Sequence, residues 1–295
     1  MSSVAEAFHH FLTEIELKPG EQETASRQQN ELRDRLRDKM PGIARDILVG
    51  SYARRTAVRP LNDIDIFLTL DPAVHGHRRS SSPLLLLEDL QRALRTCYSD
   101  PGPRTRIQGR SVNIEFSGTG IGFDIIPAFG NDNRSGNYDI PDRHQSIWIK
   151  TNPELHKVKC VEANDRAGGA LNQLIKAAKH WNSLQRDANG DKPLRSFHLE
   201  VMSYGAFPGA PRNAREGMAF LFGYLARRVT LPCPEPAGLG PNLNAGLTPV
   251  ELDRAQRALQ DASAVASEAV DHEATHPWHA HQCWRALFGA AYRSS

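Results

Sequence analysis

The sequence predicts an α/β fold, with a mixed-sheet core over about residues 47–149 packed on a helical lobe. Two stretches rich in β-branched and aromatic residues, 63–70 and 111–129, have the composition of strands. Near Thr151 the pattern changes, and amphipathic helical spacing is strong over 168–185. We therefore predict three segments: N-terminal bracing helices over 1–46, the sheet core over 47–150 and the helical lobe over 151–295.

Two helices are predicted before the sheet core. Apolar residues recur at helical spacing over 4–16, and a long polar helix is predicted over 21–39, after the break at Pro19 and Gly20. Acids and bases are mixed along the second helix, which favours a solvated face with i,i+4 ion pairs over a nucleic-acid-binding surface. Both helices are expected to brace the core and the lobe.

The remaining elements are predicted from apolar spacing and turn residues. Helices are expected over 84–97, 168–185, 198–207, 214–228, from the N-cap at Thr248 and Glu251 to about 272, and over 280–292. Turns or irregular structure are expected over 75–83, 99–110, 131–136, 138–149 and 231–247, where glycine, proline or polar residues cluster.

Composition indicates a soluble globular protein without a strong charge field. The chain has 295 residues, a mean hydropathy of −0.49 and a net charge of +2, so it can form one large or two modest domains. A charge this close to zero does not favour long nucleic acid as a partner. The four cysteines form no C-x-x-C pair, which argues against a zinc ribbon.

Nothing in the sequence predicts a membrane location. The N-terminal stretch MSSVAEAFHHFL lacks the basic region and long apolar run of a signal peptide. The longest leucine run, 84–87, is far too short to cross a bilayer. We therefore predict a cytoplasmic protein with no membrane partner.

The candidate chemistry begins in the stretch 50–70, GSYARRTAVRPLNDIDIFLTL. Asp63 and Asp65 alternate with isoleucines in a predicted strand, so both carboxylates point to the same face. Two neighbouring carboxylates repel each other unless a cation lies between them. Hard oxygen ligands at this spacing suit Mg²⁺ or Mn²⁺. Just upstream, Gly50 offers a backbone without a Cβ and Ser51 a hydroxyl, the usual parts of a phosphate-cradling turn.

A third acid is predicted on a neighbouring strand. Residues 111–129, SVNIEFSGTGIGFDIIPAF, read as a strand, a Ser-Gly-Thr-Gly turn and a second strand. Asp124 is the only ionisable residue of the apolar run 121–126, so it needs a proton or a partner. Short D-x-D matches are common, and the alternative is a set of surface acids beside an ordinary loop. Three carboxylates on adjacent strands instead predict the two-metal arrangement of in-line phosphoryl transfer.

These motifs together resemble the polymerase-β-like nucleotidyltransferases, which combine G-S-x-x-x-x-T, a D-x-D strand and a lone acid on a later strand. Within that superfamily the sequence is similar to the cGAS/DncV-like nucleotidyltransferases (CD-NTases) of bacterial anti-phage signalling (CBASS). The matching stretches are GSYARRT, NDIDIFL, FDIIPAF, LNQLIKAAKHWN and LRSFHLEVMSY. They run from about Gly50 to Tyr204, roughly half of the chain, and no motif matches after Tyr204.

The resemblance implies roles for three residues of the helical lobe. Lys179 in KHWN matches the family lysine that contacts the donor triphosphate; from its residue type alone it would be an ordinary surface lysine. Ser196 in RSFHLE matches a serine that binds the same phosphates. Phe197 lies where an aromatic ring often stacks on the base, with simple core packing as the alternative.

The resemblance also implies the reaction. Asp63, Asp65 and Asp124 are expected to hold two Mg²⁺ or Mn²⁺ ions in a cleft between core and lobe, where Gly50 and Ser51 position the phosphates. The expected activity joins ATP, GTP or a pyrimidine triphosphate into a cyclic di- or trinucleotide second messenger, with release of pyrophosphate. A separate effector protein would read the product.

Two alternatives remain open at this point. A tRNA- or protein-directed nucleotidyltransferase could carry the same motifs, although a tRNA substrate usually requires a strongly basic lobe. A non-catalytic nucleotide-binding regulator could share the fold, although such proteins have usually lost one of the acids. The bases, the linkages and any activator are not predicted by the sequence.

Overall fold

The structure is a computed structural model that describes residues 2–61, 63–98, 102–130 and 136–294. Strands and helices are mixed in the first half of the chain, and helices follow. The strands are β1 (Ile43–Val49), β2 (Asp63–Leu70), β3 (Arg104–Ile107), β4 (Val112–Phe116), β5 (Ile121–Gly130), β6 (Tyr138–Asp142) and β7 (Ile147–Thr151). The helices are α1 (Val4–Glu14), α2 (Pro19–Lys39), α3 (Gly50–Ala53), α4 (Pro72–Arg79), α5 (Pro83–Thr96), α6 (Pro153–Arg166), α7 (Leu171–Leu184), α8 (Ser196–Ser203), α9 (Ala214–Arg228), α10 (Pro249–His272) and α11 (Pro277–Phe288).

The described chain forms two compact units. The sheet unit contains the described residues of 17–55 and 61–157, and the helical unit contains those of 1–16, 56–60 and 158–295. The sequence grouped α1 and α2 as a separate brace, whereas the structure assigns α1 to the helical unit and α2 to the sheet unit.

The sheet is mixed, as predicted. Five strands lie in the order β1-β2-β5-β4-β3, while β6 pairs with β5 and β7 pairs with β6. The pair β2 and β5 is parallel, and the other pairs are antiparallel. Parallel neighbours need a long crossover, which here runs through α4, α5 and the β3–β4 pair. This crossover makes β2 and β5 neighbours although they are far apart in the sequence.

Side-chain alternation gives β2 one apolar and one polar face. Ile64, Ile66 and Leu68 are at most 2% exposed, whereas the interleaved acids lie on the opposite face. Four leucines of α5 are also buried, namely Leu86, Leu87, Leu90 and Leu94, and α5 packs against β3, β4, β5 and β6. Each fully buried aliphatic side chain of this kind contributes roughly 1.5–3 kcal/mol to folding. The apolar core on one side of the sheet therefore holds the strands that display the acids on the other.

The helical unit has its own core, which includes α1. Phe11 of α1 stacks on Phe288 of α11 with ring centroids 4.1 Å apart, and Phe8 meets Trp284 edge-on at 4.7 Å. All four rings are at most 1% exposed. The predicted capping box of α10 is present, since the Thr248 side chain accepts from the Glu251 amide and the Glu251 side chain accepts in return.

Three regions predicted as turns or irregular structure are regular. Much of 75–83 belongs to α4, because Asp71 Oδ1 caps the helix by accepting from the Ala73 amide at 2.9 Å and Pro72 occupies its first position. Most of 138–149 forms the antiparallel pair β6 and β7, and part of 99–110 forms β3. The sequence also did not predict α6. The loop expected over 131–136 lies, except for Gly136, outside the described residues.

The hairpin predicted over 111–129 is confirmed as β4 and β5, joined by the turn at residues 117–120. Every helix in the described part of the chain is too short or too polar to cross a bilayer.

Candidate active site

The structure brings the three predicted acids together on one face of the sheet. Asp63 and Asp65 are two residues apart on β2, so their side chains project to the same side. In the parallel pairing of β2 with β5, Asp65 lies directly opposite Asp124. Neighbouring strands are about 4.8 Å apart, which places these two carboxyl groups side by side.

Burial and mutual repulsion disfavour the charged forms of these three carboxyl groups. Burial, followed by the charges of Asp124 and Asp63, raises the pKa of Asp65 to about 6 against the opposing effect of Arg54. Burial is also the main cause that raises the pKa values of Asp63 and Asp124. A group of carboxyls in this state gains from a bound cation, because a cation favours their charged forms.

Asp65 and Asp124 belong to a row of polar residues that crosses four strands. Asn113 of β4 pairs with Asp124, and Arg106 of β3 pairs with Asn113 in turn. The Asn113 Nδ2 donates a 2.9 Å hydrogen bond to Asp124 Oδ1, which fixes that carboxylate and lowers its pKa. Arg106 lowers the pKa values of Asp124 and Asp63 through its charge. This row of side chains thus fixes the Asp124 carboxylate and offsets part of the negative charge of the acids.

A second row runs beside the first and adds a fourth acid. Asp63 lies opposite Gly122 of β5, and Glu115 of β4 lies opposite the same glycine. The Glu115 carboxylate raises the pKa of Asp63, second only to burial. Sequence reasoning missed Asn113, Glu115 and Arg106. The signal was present, because in VNIEF Asn113 and Glu115 alternate with apolar residues, the period of a strand with one polar face.

Position 50 requires a glycine, because its backbone lies against the Asp65 side chain. Its φ of +68° lies in the left-handed region, and a Cβ built there would lie 1.7 Å from Asp65 Oδ2. The sequence predicted a glycine without a Cβ at a phosphate turn; its neighbour in the structure is the Asp65 carboxylate. Ser51, the next residue of α3, is partly exposed, and Arg54 follows α3 as a buried cation near Asp65.

Lys179 is not the surface lysine that its residue type suggested. It lies on α7 and is only 8% exposed, and its ammonium forms an ion pair with the fully buried Glu200 of α8. The same ammonium donates to the carbonyl oxygen of Thr56 at 3.1 Å and to its Oγ1 at 3.0 Å. These three contacts match the three N–H donors of an ammonium group. The role of Lys179 toward a triphosphate stays a prediction.

Ser196 and Phe197 begin α8 in the helical unit, and both are partly exposed. Ser196 lines a cavity of about 770 Å³ within that unit. Its charged lining is mixed and consists of Arg186, Lys192, Arg195, Arg254, Asp187, Asp191 and Glu251. The phosphate role predicted for Ser196 and the stacking role predicted for Phe197 stay predictions.

A Gly-Ser turn that leads to a D-x-D strand, with a third acid on the adjacent parallel strand of a mixed sheet, defines a nucleotidyltransferase of the polymerase-β-like class. The sequence comparison identifies the family within this class. Residues 1–164 match the Second Messenger Oligonucleotide or Dinucleotide Synthetase (SMODS) domain, which is more than half of the chain. The chain belongs to this family, and the predicted activity, synthesis of a cyclic oligonucleotide messenger from nucleotides, is confirmed at that level. Such nucleotidyltransferases in general use divalent metal ions.

Individual relatives agree with this assignment. The chain is 26% identical to a cyclic AMP-AMP-AMP synthase of Acinetobacter sp., across 98% of this chain and 85% of the relative. Its fold is similar to that of Escherichia coli CdnC in complex with HORMA-deltaN, with a TM-score of 0.75, 21% identity and 98% of each chain covered. Vibrio cholerae DncV in its apo form gives a TM-score of 0.77 at 16% identity, over 97% of this chain and 96% of that chain.

The contact between Gly50 and Asp65 predicts that Gly50→Ala disrupts the acid cluster. The matched control is Gly120→Ala, because Gly120 has a similar φ of +70° and nothing within 4 Å of its added Cβ. Both changes should cost about 1–2 kcal/mol of backbone strain. Gly50→Ala should in addition displace Asp65 and lower the rate of nucleotide condensation by about 100-fold. Equal rates for the two variants would show that Asp65 tolerates the extra methyl group.

The raised pKa of Asp65 predicts that metal-free protein loses stability as pH rises. The folded state holds this proton up to about pH 6, whereas the unfolded chain releases it near 3.8. The contribution of Asp65 to stability should therefore be highest below the lower value and fall by about 1.4 kcal/mol per pH unit between the two. Urea unfolding in the presence of a chelator tests this. Asp65→Asn should show a weaker pH dependence and higher stability at neutral pH, and a parallel loss in both proteins would contradict the assignment to Asp65.

The buried ion pair predicts that Lys179→Ala is strongly destabilising. It leaves Glu200, whose side chain is 0% exposed, without its cation, and breaking such a pair costs about 3–5 kcal/mol. Lys176→Ala is the control, since Lys176 is on the same helix and pairs at 2.8 Å with Glu16, whose side chain is 39% exposed. That change should cost about 1 kcal/mol or less. Chemical denaturation measures both, and a Lys179→Ala loss no larger than the control would contradict the buried pair.

Proposed function

We propose that the chain uses ATP as its main substrate and condenses three molecules into a cyclic trinucleotide. The observation that carries the reaction type is the placement of Asp63, Asp65 and Asp124 on one sheet face, with Asp65 in register with Asp124. Support for the product comes from likeness along nearly the whole chain to a protein named cyclic AMP-AMP-AMP synthase. Each step joins a ribose hydroxyl oxygen to an α-phosphorus, breaks the bond to the bridging oxygen and releases pyrophosphate.

The three acids suit divalent cations. They are hard oxygen ligands in a crowded, largely buried cluster whose pKa values are raised, so that a cation relieves their repulsion. We propose that Asp63, Asp65 and Asp124 hold two Mg²⁺ or Mn²⁺ ions. Such ions, when bound, offset the charge of the triphosphate and lower the pKa of the attacking hydroxyl.

Side chains of the sheet unit would position the reactants. Asn113 keeps the Asp124 carboxylate in one orientation through its 2.9 Å hydrogen bond. The Gly50 backbone and the Ser51 hydroxyl lie in the turn next to Asp65, where they would hold phosphate oxygens. Arg54 would add positive charge beside the same carboxylate. Most of the rate would then come from positioning and from charge stabilisation.

Residues of the helical unit are proposed to contact the donor on the basis of the family resemblance. Ser196 would bind a phosphate from the edge of the cavity that it lines, and Phe197 would contact the base. Lys179 would have to exchange one of its contacts with Thr56 or Glu200 for a phosphate oxygen. Its buried pairing gives the residue a structural role whether or not this exchange occurs.

A polymer-directed enzyme is the second candidate, and the net charge argues against it. A protein that neutralises many phosphates of tRNA loses affinity steeply as salt rises, because each contact releases counterions. With a net charge of +2, this chain is expected to act on small acceptors with a modest salt dependence.

The test is incubation of the purified chain with all four ribonucleoside triphosphates and Mg²⁺ or Mn²⁺, followed by mass spectrometry. We expect a phosphatase-resistant trinucleotide of adenylate and no product from Asp63→Asn with Asp65→Asn. Calorimetric titration with a non-hydrolysable ATP analogue gives a second readout, in which metal-dependent binding should be lost in the same variant. Labelling of added tRNA or protein in place of a small product would overturn the proposal, as would a double variant that binds and reacts normally.

A further inference from the structure

A cluster of metal-ligand side chains lies in the helical unit, apart from the acids of the sheet. Glu268, His272 and His279 each offer one ligand atom, and the three atoms lie within 4.8 Å of one another. Nothing in the nucleotide chemistry above uses it.

Two helices fix the spacing of this cluster. Glu268 and His272 are four residues apart in the last two turns of α10, so they lie one above the other on the same face. His279 lies in the first turn of α11, which packs against α10. Its Nε2 is 2.7 Å from Glu268 Oε1, and its ring lies 5.1 Å from that of His272 at an angle of 84°. The ligands are thus brought together by the fold before any ion binds.

We propose that Glu268, His272 and His279 form a binding site for Zn²⁺. Two imidazoles and one carboxylate are a frequent zinc ligand set, with bond lengths of about 2.0–2.2 Å and a remaining position for water. Ligand atoms around a tetrahedral zinc lie about 3.4 Å apart, so the present separations need only small side-chain rotations. Glu268 is exposed and His272 and His279 are half-buried, which leaves room for these rotations and for entry of the ion.

Neighbouring side chains strengthen the preference for a borderline metal over Mg²⁺. The Cys283 sulfur, one turn after His279 on α11, lies 3.7 Å from His279 Nε2. The ring of His276 lies 5.4 Å from that of His272. Nitrogen and sulfur donors favour zinc and its neighbours, whereas Mg²⁺ prefers oxygen.

The same stretch reads His-Glu-Ala-Thr-His over 272–276, the H-E-x-x-H pattern of zinc peptidases. The structure argues against a peptidase. In that pattern the glutamate acts as a general base on a helix that carries both histidines, but α10 ends at His272. Glu273 is instead paired with Arg215 at 2.8 Å. The proposed ion therefore has a structural role, linking the end of α10 to the start of α11.

Such a link would stabilise the packing of α11. Trp284 and Phe288 of this helix contact Phe8 and Phe11 of α1, so its position affects the core of the helical unit. An ion that binds only the folded chain raises its stability in proportion to the logarithm of the ion concentration over its Kd. The inference is independent of the proposed nucleotide product.

The test is calorimetric titration of the metal-free, full-length chain with Zn²⁺, in the Asp63→Asn, Asp65→Asn background to remove the acid cluster as a competing site. We expect one zinc ion per chain, with affinity reduced at least about tenfold by His272→Ala with His279→Ala. The matched control is His9→Ala with His10→Ala, because both are exposed imidazoles on α1 outside the cluster. Mg²⁺ should not compete at similar concentrations.

Two further measurements keep the result interpretable. Zinc should raise the melting temperature of the parent and of the α1 control but not of the cluster variant. Co²⁺ should give visible absorption bands of a tetrahedral site in the same two proteins. If the cluster variant fails to fold by circular dichroism, Glu268→Ala at the exposed ligand replaces it. Equal zinc affinity in all variants, or no zinc binding by the parent, would overturn the proposal.

Discussion

The parallel pairing of β2 with β5 is the constraint on which the candidate site depends. Its register sets Asp65 opposite Asp124, and the two-residue period of β2 adds Asp63 on the same side. Neighbouring side chains partly offset the resulting negative charge. Asn113 donates a hydrogen bond to Asp124, Arg54 lowers the pKa of Asp65, and Arg106 lowers the pKa of Asp124. A shift of one residue in the register would turn the acids toward the apolar core and remove the site.

This arrangement lowers the stability of the protein when no cation is bound to the acid cluster. Burial and the charges of Asp124 and Asp63 outweigh the effect of Arg54 and raise the pKa of Asp65 to about 6. The opposite face of the same strands offsets that cost, because Ile64, Ile66 and Leu68 are buried there. The site can therefore remain electrostatically unfavourable until its ligands bind, as is usual where activity and stability compete.

Sequence reasoning found what short-range patterns encode. The period of β2, the Ser-Gly-Thr-Gly turn before β5 and the lone acid in an apolar strand were sufficient to predict adjacent strands that carry Asp63, Asp65 and Asp124. It missed what depends on distant partners. Arg106 joins the site only through the registers of β3 on β4 and β4 on β5. The β6–β7 pair was missed because Pro141 and several polar residues obscure the strand period.

Lys179 shows why residue type alone misleads. Lysine is almost never fully buried without a partner, and the partner here, Glu200, lies on another helix 21 residues later. Within the helical unit, Thr56 adds hydrogen bonds to both the ammonium and the carboxylate, and Tyr204 adds one to the carboxylate. The acid cluster of the sheet unit is the opposite case, with more negative charge than its neighbours neutralise. Buried charge that is satisfied within the chain specifies structure, whereas buried charge left in excess favours binding of a cation, and this difference is why we propose the sheet acids as the metal site.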